Sequence, residues 1–482
     1  KLYFNFGNAS RGLKTATGEV VVDLAGNEVR DHRQPYQQGM VFRCNPDGSQ
    51  VETLGWNFRN NWEAAVDSFG TIWQSDNDDD GNRGVRINYV MEFGNYGYRD
   101  ELTGKGWRDK RTNMEKEIPL QHWHLNDPGV VPNLLQTGAG SPTGIIVYEG
   151  DLLPRSLRGQ IIHCDAGPNV CRAYPRQNEG AGYRAEMLPL LTGTGDRWYR
   201  PSDVAVAPDG SLLVADWYDP GVGGHGMGDL DRGRIFRLTP DGHEGYKNPR
   251  YDFASAKGAA DALRSPNLDA RYLAWNALHK MGRAAAEPAL QDLWRSDDPV
   301  MRARAVWCLG KMEGAGADTV AVAMNDPHPD VRIVAIRLQR QLGGEAVLQI
   351  AEKLSADQNP QVRRECALAL RGLDGDRAAQ VWAKLAARHD GKDRWYLEAL
   401  GIGAEGKWDA CLAAWKAAGG DVSNAAGRDI VWRSRGKATP AMLAAIVKSD
   451  STPEGEKARY MRAFDFLSGP EKDAALQSIL LD

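Results

Sequence analysis

The sequence predicts a multidomain chain: an all-β propeller half up to about residue 250, then an all-α solenoid over 255–482. Three observations predict it. Up to about residue 250, short alternating runs are separated by Gly-, Asp- and Asn-rich turns, the pattern of half-buried strands. Two stretches of that half echo each other. Aligning Gly70 with Gly210 also superposes Val66 on Val206, Ile72 on Leu212, Asp76 on Asp216 and Asp79 on Asp219, all at one offset of 140. Copies of strand, Gly turn, strand and acidic end are what propeller blades leave in a sequence. After residue 254 the composition shifts to Ala, Leu and Arg, with a recurring motif whose Arg stands at 271, 302, 332, 363, 394, 428 and 459. Spacings of 31, 30, 31, 31, 34 and 31 residues belong to stacked helix pairs, each burying its apolar face only against its neighbours.

Taken in order, Lys1–Gly7 is an alternating strand, so the chain opens inside an element and is expected to be a fragment of something longer. Strands follow at Gly39–Arg43, Thr71–Gln74, Gly144–Tyr148, Gln160–Cys164 and Gly233–Leu238. Pro-Asp-Gly at 46–48, 208–210 and 240–242 supplies hairpin turns. In the second half, Pro299-Val300-Met301-Arg302, Pro329-Asp330-Val331-Arg332 and Pro360-Gln361-Val362-Arg363 open successive helices. The repeated Arg is expected to make a bond between repeats. His279, His328 and His389 are scattered without metal spacing, and the charges interleave as on a solvated face.

Composition excludes some functions. A net charge of −5, from 59 basic and 64 acidic residues, leaves no basic footprint for nucleic acid. No apolar run approaches the roughly 20 residues of a membrane span. Six Cys are too few for a disulfide scaffold. Cys164 and Cys171 can close a small loop in an oxidising compartment, and Cys308, Cys366 and Cys411 read as buried fillers.

The stretch with most chemistry runs from Trp62 to Asp80. Asp76, Asp78, Asp79 and Asp80 follow a strand directly, and four carboxylates so close repel one another. The loop fits either a hard cation such as Ca²⁺, which takes 6–8 oxygen ligands, or a solvated acidic turn. Asp216 and Asp219 are metal-proximal or turn caps. His122 and His124, at i and i+2 in the segment 107–142, can bind a metal or act as a base, or be structural. His225 lies in a Gly-rich loop of the kind that often carries function.

The ordered motifs resemble a known family. The helical pattern resembles HEAT repeats. Val41-Phe42-Arg43-Cys44-Asn45-Pro46-Asp47-Gly48, Phe58-Arg59-Asn60, the acidic loop with Arg86-Ile87-Asn88 and Gly94-Asn95-Tyr96-Gly97-Tyr98, and Arg200-Pro201-Ser202-Asp203-Val204 together resemble the six-bladed propeller of glucose/aldose and sorbosone dehydrogenases. The two halves in this order are similar to the large membrane-bound dehydrogenases of planctomycetes and verrucomicrobia. That resemblance implies pyrroloquinoline quinone and Ca²⁺ as cofactors, a sugar or related alcohol as substrate, and an extracytoplasmic, periplasmic setting. It implies that Arg59, Asn60 and Arg200 hold the quinone, that Asp76, Asp78, Asp79, Asp80 and Asp216 lie near metal, and that the catalytic base precedes residue 1. A cytochrome c domain carrying haem would follow residue 482, with the solenoid as spacer and docking arm. Arg59 pairing with Glu63 at a strand end is the structural alternative. The competing function is a non-catalytic binding module for carbohydrate or a protein. Segment 107–142 has no counterpart in the small sugar dehydrogenases.

Overall fold

The computed structural model describes residues 1–79, 82–109, 114–221 and 231–481. β1 (Leu2–Phe6), β2 (Gly39–Cys44) and β3 (Glu52–Phe58) form one antiparallel sheet, and β4 (Asn60–Val66), β5 (Ile72–Asn77) and β6 (Val85–Val90) a second. β7 (Gly94–Asn95) then returns to pair parallel with β3, and β8 (Leu135–Gly138) covers the outer edge of β6. The third sheet takes β9 (Pro142–Tyr148), β10 (Gln160–Asp165) and β11 (Val170–Tyr174). A hairpin of β12 (Arg176–Glu179) and β13 (Gly182–Ala185) follows before β14 (Leu188–Thr192) pairs with β11. β15 (Pro201–Val206), β16 (Leu212–Asp216) and β17 (Arg234–Leu238) make the fourth sheet. β1, β4, β9 and β15 lie side by side in that order, so the sheets fan out as propeller blades. No comparable contact joins β15 to β1 among the described residues, and the four blades form an arc.

The offset of 140 has a backbone cause. Gly70 (φ 78°) and Gly210 (φ 88°) hold the left-handed position of the same hairpin turn in the second and fourth blades, which other residues adopt only under strain. The turns close identically, Gly70 N–H to Asp67 O and Gly210 N–H to Ala207 O, both at 2.9 Å. The turn at Pro240-Asp241-Gly242 also forms, but no strand follows it among the described residues. Cys164 and Cys171 sit directly opposite each other across β10 and β11, and all six Cys are free thiols.

Fifteen helices run from Ala256 to Leu480. Asp298, His328 and Asn359 cap the helices opened by Pro299, Pro329 and Pro360, and the repeated Arg forks between repeats at Arg302 and Arg332, whereas Arg271 turns to Glu149 and Arg394 to carbonyls of the β half. Arg302 grips Asp326 through Nε and Nη2 at 2.8 and 2.9 Å, and Arg332 grips Asp357 at 2.7 and 2.9 Å. Arg332 also donates to the carbonyl of Asp326 (2.8 Å), so one loop serves two arginines.

The arm expected from the sequence is instead packed on the β half. One apolar core runs through both, and the Tyr89 ring lies 5.7 Å from that of Trp395. A side chain at Gly182 would collide with Trp395. Ion pairs cross the seam: Arg304 to Glu149 (3.0 Å) and Arg340 to Glu92 (2.7 Å), both deep in it, and the half-buried Arg435 to Glu101 (2.5 Å). The solenoid arginines look solvated in the sequence because their carboxylate partners stand more than a hundred residues away.

These groups set a pH dependence. Burial pushes Glu92 and Glu149 up, but Arg43 and Arg340 beside Glu92, and Arg304 and Arg271 beside Glu149, outweigh it and hold both at about 2. From an ordinary 4.5, that depression is stability present above pH 4.5 and lost as pH falls toward 2. Burial lowers His122 and His163 from 6.5 to about 3, so the unfolded chain takes up those protons first. Glu63, raised by burial to about 7, and Asp67 and Asp165, raised to about 6, bind protons in the folded chain over the same range and offset the two His, so stability is expected to change little between pH 6.5 and 4.5 and to decline steeply below 4.5. Urea melts across this range check it, and Glu149→Gln should flatten the steeper limb.

Candidate cofactor site

The acidic end of β5 is built from the strand outward. Asp76, fully buried, accepts the amide N–H of Arg59 (3.1 Å) and of Asn60 (2.8 Å) where β4 begins. Arg86 on β6 closes on its other oxygen through Nε (3.2 Å) and Nη2 (2.8 Å). Burial pushes the Asp76 carboxyl up, and this fork and the two amides oppose it. Trp123 caps the arrangement, with its ring 3.5 Å from the Arg86 guanidinium and its Nε1 donating to Gly84 O at 2.7 Å.

The same clamp recurs in the fourth blade and, without a hydrogen bond from the arginine, in the third. Asp216, at the end of β16, accepts the amides of Arg200 (2.7 Å) and Tyr218 (2.9 Å) and pairs with Arg234 on β17 at 2.6 Å. Asp165, at the end of β10, accepts the amide of Ser141 (2.6 Å) and stands 3.8 Å from Arg172 on β11. Sequence reasoning missed Asp165, Arg172 and Arg234, and gave Arg86 no role of its own beside the acidic loop. The signal was there as an Asp ending the second strand of a blade with an Arg on the third. Asp76 and Asp216 are thus engaged within their blades.

Asp78 accepts the amide of Gly84 at 2.6 Å, and burial raises its pKa. Asp79 receives Arg59 Nε (3.3 Å), Tyr98 Oη (3.1 Å) and Trp107 Nε1 (3.1 Å). Burial pushes Asp79 up, yet neighbours that include Tyr98 and Arg59 hold it below the usual carboxylate range. Arg59 therefore pairs with Asp79. Glu63 accepts the Ile145 amide at 2.9 Å, and burial raises it to about 7. Among the described residues no three His, Cys, Asp or Glu side chains converge as a metal-binding group. Asp80 and His225 lie outside the described residues.

Arg59 and Arg200 differ in what they leave free. Arg200 is buried and donates to the carbonyls of Asp219, Ala166, Gly167 and Pro220. Arg59 is held only at Nε, its side chain is 21% exposed, and its two Nη groups make no hydrogen bond among the described residues. The exposed side chains of Asn60 and Trp62 stand beside it on β4.

His122 and His124 are both fully buried. His122 Nε2 accepts the Asp79 amide (3.3 Å), which puts its ring proton on Nδ1. His124, at φ 47°, donates from Nδ1 to Gly97 O at 2.8 Å, and burial lowers its pKa. The segment 107–142 that carries them lies between the second blade and the solenoid. Arg394 donates to the carbonyls of Leu125 (3.3 Å), Asp127 (2.7 Å) and Val130 (3.0 Å). No helix among the described residues is long and apolar enough to cross a membrane.

Comparisons with known proteins divide the chain at the same place. A domain-of-unknown-function family, DUF7133, matches residues 11–241, and HEAT repeats match 256–324 and 316–401. No curated protein matches the chain. Among solved structures, a glucose dehydrogenase of Thermus thermophilus is similar at 16% identity and TM-score 0.31, over 47% of this chain and 67% of its own. The PQQ-bound aldose sugar dehydrogenase of Streptomyces coelicolor is similar at 16% identity and TM-score 0.31, over 49% and 57%. The soluble aldose sugar dehydrogenase of Escherichia coli, in its apo form, is similar at 19% identity and TM-score 0.28, over 37% and 51%. The chain spans about half to two thirds of the length of these structures.

Proposed function

We propose that the β half is the cofactor-binding part of an extracytoplasmic, quinone-dependent oxidoreductase that oxidises a sugar or related alcohol and passes electrons to a c-type haem. The observation that supports this most is Arg59. Its backbone is fixed by Asp76 and its Nε by Asp79, while two Nη donors stay open beside Asn60 and Trp62. A planar guanidinium so held suits a carboxylate of pyrroloquinoline quinone, and the Phe58-Arg59-Asn60 motif resembles the one with which the resembled family holds its quinone. When bound, that cofactor supplies the two-electron acceptor. This chain's part is to orient it through Arg59 and Asn60. Arg200 fits a supporting role in its own loop better. The described carboxylates do not fit a Ca²⁺ cage, so no step is assigned to a metal.

Two observations favour the second reading, a carbohydrate- or protein-binding module without turnover: the His122 and His124 rings are buried, and Asp76 and Asp216 are engaged in clamps. Titrating the full-length protein with pyrroloquinoline quinone, with and without Ca²⁺, followed by dye reduction across a sugar panel, separates the two. Quinone binding with sugar-dependent reduction is expected. Arg59→Ala should weaken quinone binding about 10-fold or more, the scale of one charge-assisted pair, at an unchanged melting temperature. Absence of quinone binding by the wild type overturns the dehydrogenase reading.

A further inference from the structure

We infer that Arg462, on a helix near the far end of the solenoid, is a positioning residue for Arg59, acting through two loops that meet at Asp79. Arg462 is buried and forks onto Asp127, Nε to Oδ1 at 3.0 Å and Nη2 to Oδ2 at 2.9 Å. The same Nη2 binds Asp100, while Nη1 reaches Asp465 at 2.7 Å on its own side of the seam. One guanidinium therefore ties together two separate loops of the β half.

Each loop carries a residue that holds Asp79. Asp100 follows Tyr98 by two residues and caps its own turn through the Thr103 amide at 2.7 Å, and Tyr98 donates to Asp79. Asp127 donates its amide to His124 O at 3.0 Å, and two residues before His124, His122 accepts the Asp79 amide. The loops are also bonded to each other through His124 Nδ1 and Gly97 O. Asp79 in turn fixes Arg59 Nε. The contact series from Arg462 to Arg59 is thus double, through Asp100 and Tyr98 on one side and Asp127 and His122 on the other.

A point charge cannot replace a planar fork that serves two carboxylates at fixed angles. Arg462→Lys keeps the charge and should release one of the two loops. Hydrogen exchange on the full chain reads this directly, because the Asp79 amide is the one bonded to His122. In Arg462→Lys that amide and those of 122–130 are expected to exchange about 10-fold faster, one factor of ten being a modest local opening. The amides of β5 between Ile72 and Ser75 should not change. Asp127→Asn, which keeps the shape and removes half of the charge pairing, should shift the same amides by less, and serves if the lysine variant does not fold. Arg302→Lys, which loosens a fork between repeats far from these loops, is the control and should leave the Asp79 amide alone.

The quinone readout rests on the function proposed above, and the exchange readout does not. If the wild type binds quinone, Arg462→Lys should weaken that binding in the same direction as Arg59→Ala. If it binds none, the dehydrogenase reading fails and exchange alone decides the coupling. Unchanged exchange at Asp79 in both Arg462→Lys and Asp127→Asn overturns the inference, as does an equal effect from Arg302→Lys.

Discussion

Glu365→Ala is expected to lower the unfolding free energy by about 3–5 kcal/mol, the usual cost of leaving buried charge without its counter-ion. Glu365 is fully buried where the solenoid meets the β half. It accepts Arg337 Nε (3.2 Å) and Nη2 (2.8 Å), Arg364 Nη2 (2.9 Å) and the Tyr89 hydroxyl (3.4 Å). The two arginines continue into the blades, Arg337 to Phe69 O and Thr71 Oγ1 at 3.0 Å and Arg364 to Ala181 O at 2.5 Å. Without the carboxylate, two buried guanidinium groups face each other. Pairing Glu365→Ala with Arg337→Met should recover part of the loss, because one of the two stranded charges is then gone. Urea unfolding followed by circular dichroism measures both. A loss under about 1 kcal/mol in the single variant, the range of a solvent-screened surface pair, would show that the cluster is hydrated and that the seam is looser than its geometry.

The second large effect concerns the β half in isolation. Residues 1–250 alone are expected not to reach a native fold. Phe69, Trp73, Tyr89 and Tyr183 share one core with Val362, Trp395 and Leu397 of the solenoid, so removing the helices exposes a continuous aromatic face. Glu149 would lose Arg304 and Arg271, and Asp100 and Asp127 would lose Arg462. The loss of these pairs and the water-exposed aromatic face outweigh what four small blades gain from their own packing. The measurement is near-ultraviolet circular dichroism and a thermal melt of residues 1–250 beside the full chain. A cooperative melt at the temperature of the full chain would restore the picture of a separate propeller with a helical arm. The expected result is a broad transition in the fragment and a single one in the full chain, where both halves unfold together.

What the sequence determined by itself was everything carried by local period and local turn chemistry. Alternation and Gly70 and Gly210 at left-handed turn positions placed the strands, the blade echo and the turn at 67–70. The regular Arg spacing marked the helix pairs and, at Arg302 and Arg332, the forks between them, because these close within the next repeat, while Arg271 and Arg394 turn to the β half. Motif order singled out Arg59. Only the tertiary structure decided how the charges are used. Asp76, Asp78 and Asp79 look like one acidic cluster in the chain, but strand pairing gives Asp76 to Arg86, a tight turn gives Asp78 to the Gly84 amide, and the loop at Tyr98 and Trp107 takes Asp79. Arg59 and Arg200 occupy matching places in their blades, yet the loop at 166–167 turns its carbonyls onto Arg200 alone. The seam was illegible for the same reason. Arg364, Arg337 and Arg462 meet their partners in the blades across 183, 266 and 362 residues of chain, and a charge on a helix face reads as solvated until the surface that covers it is known.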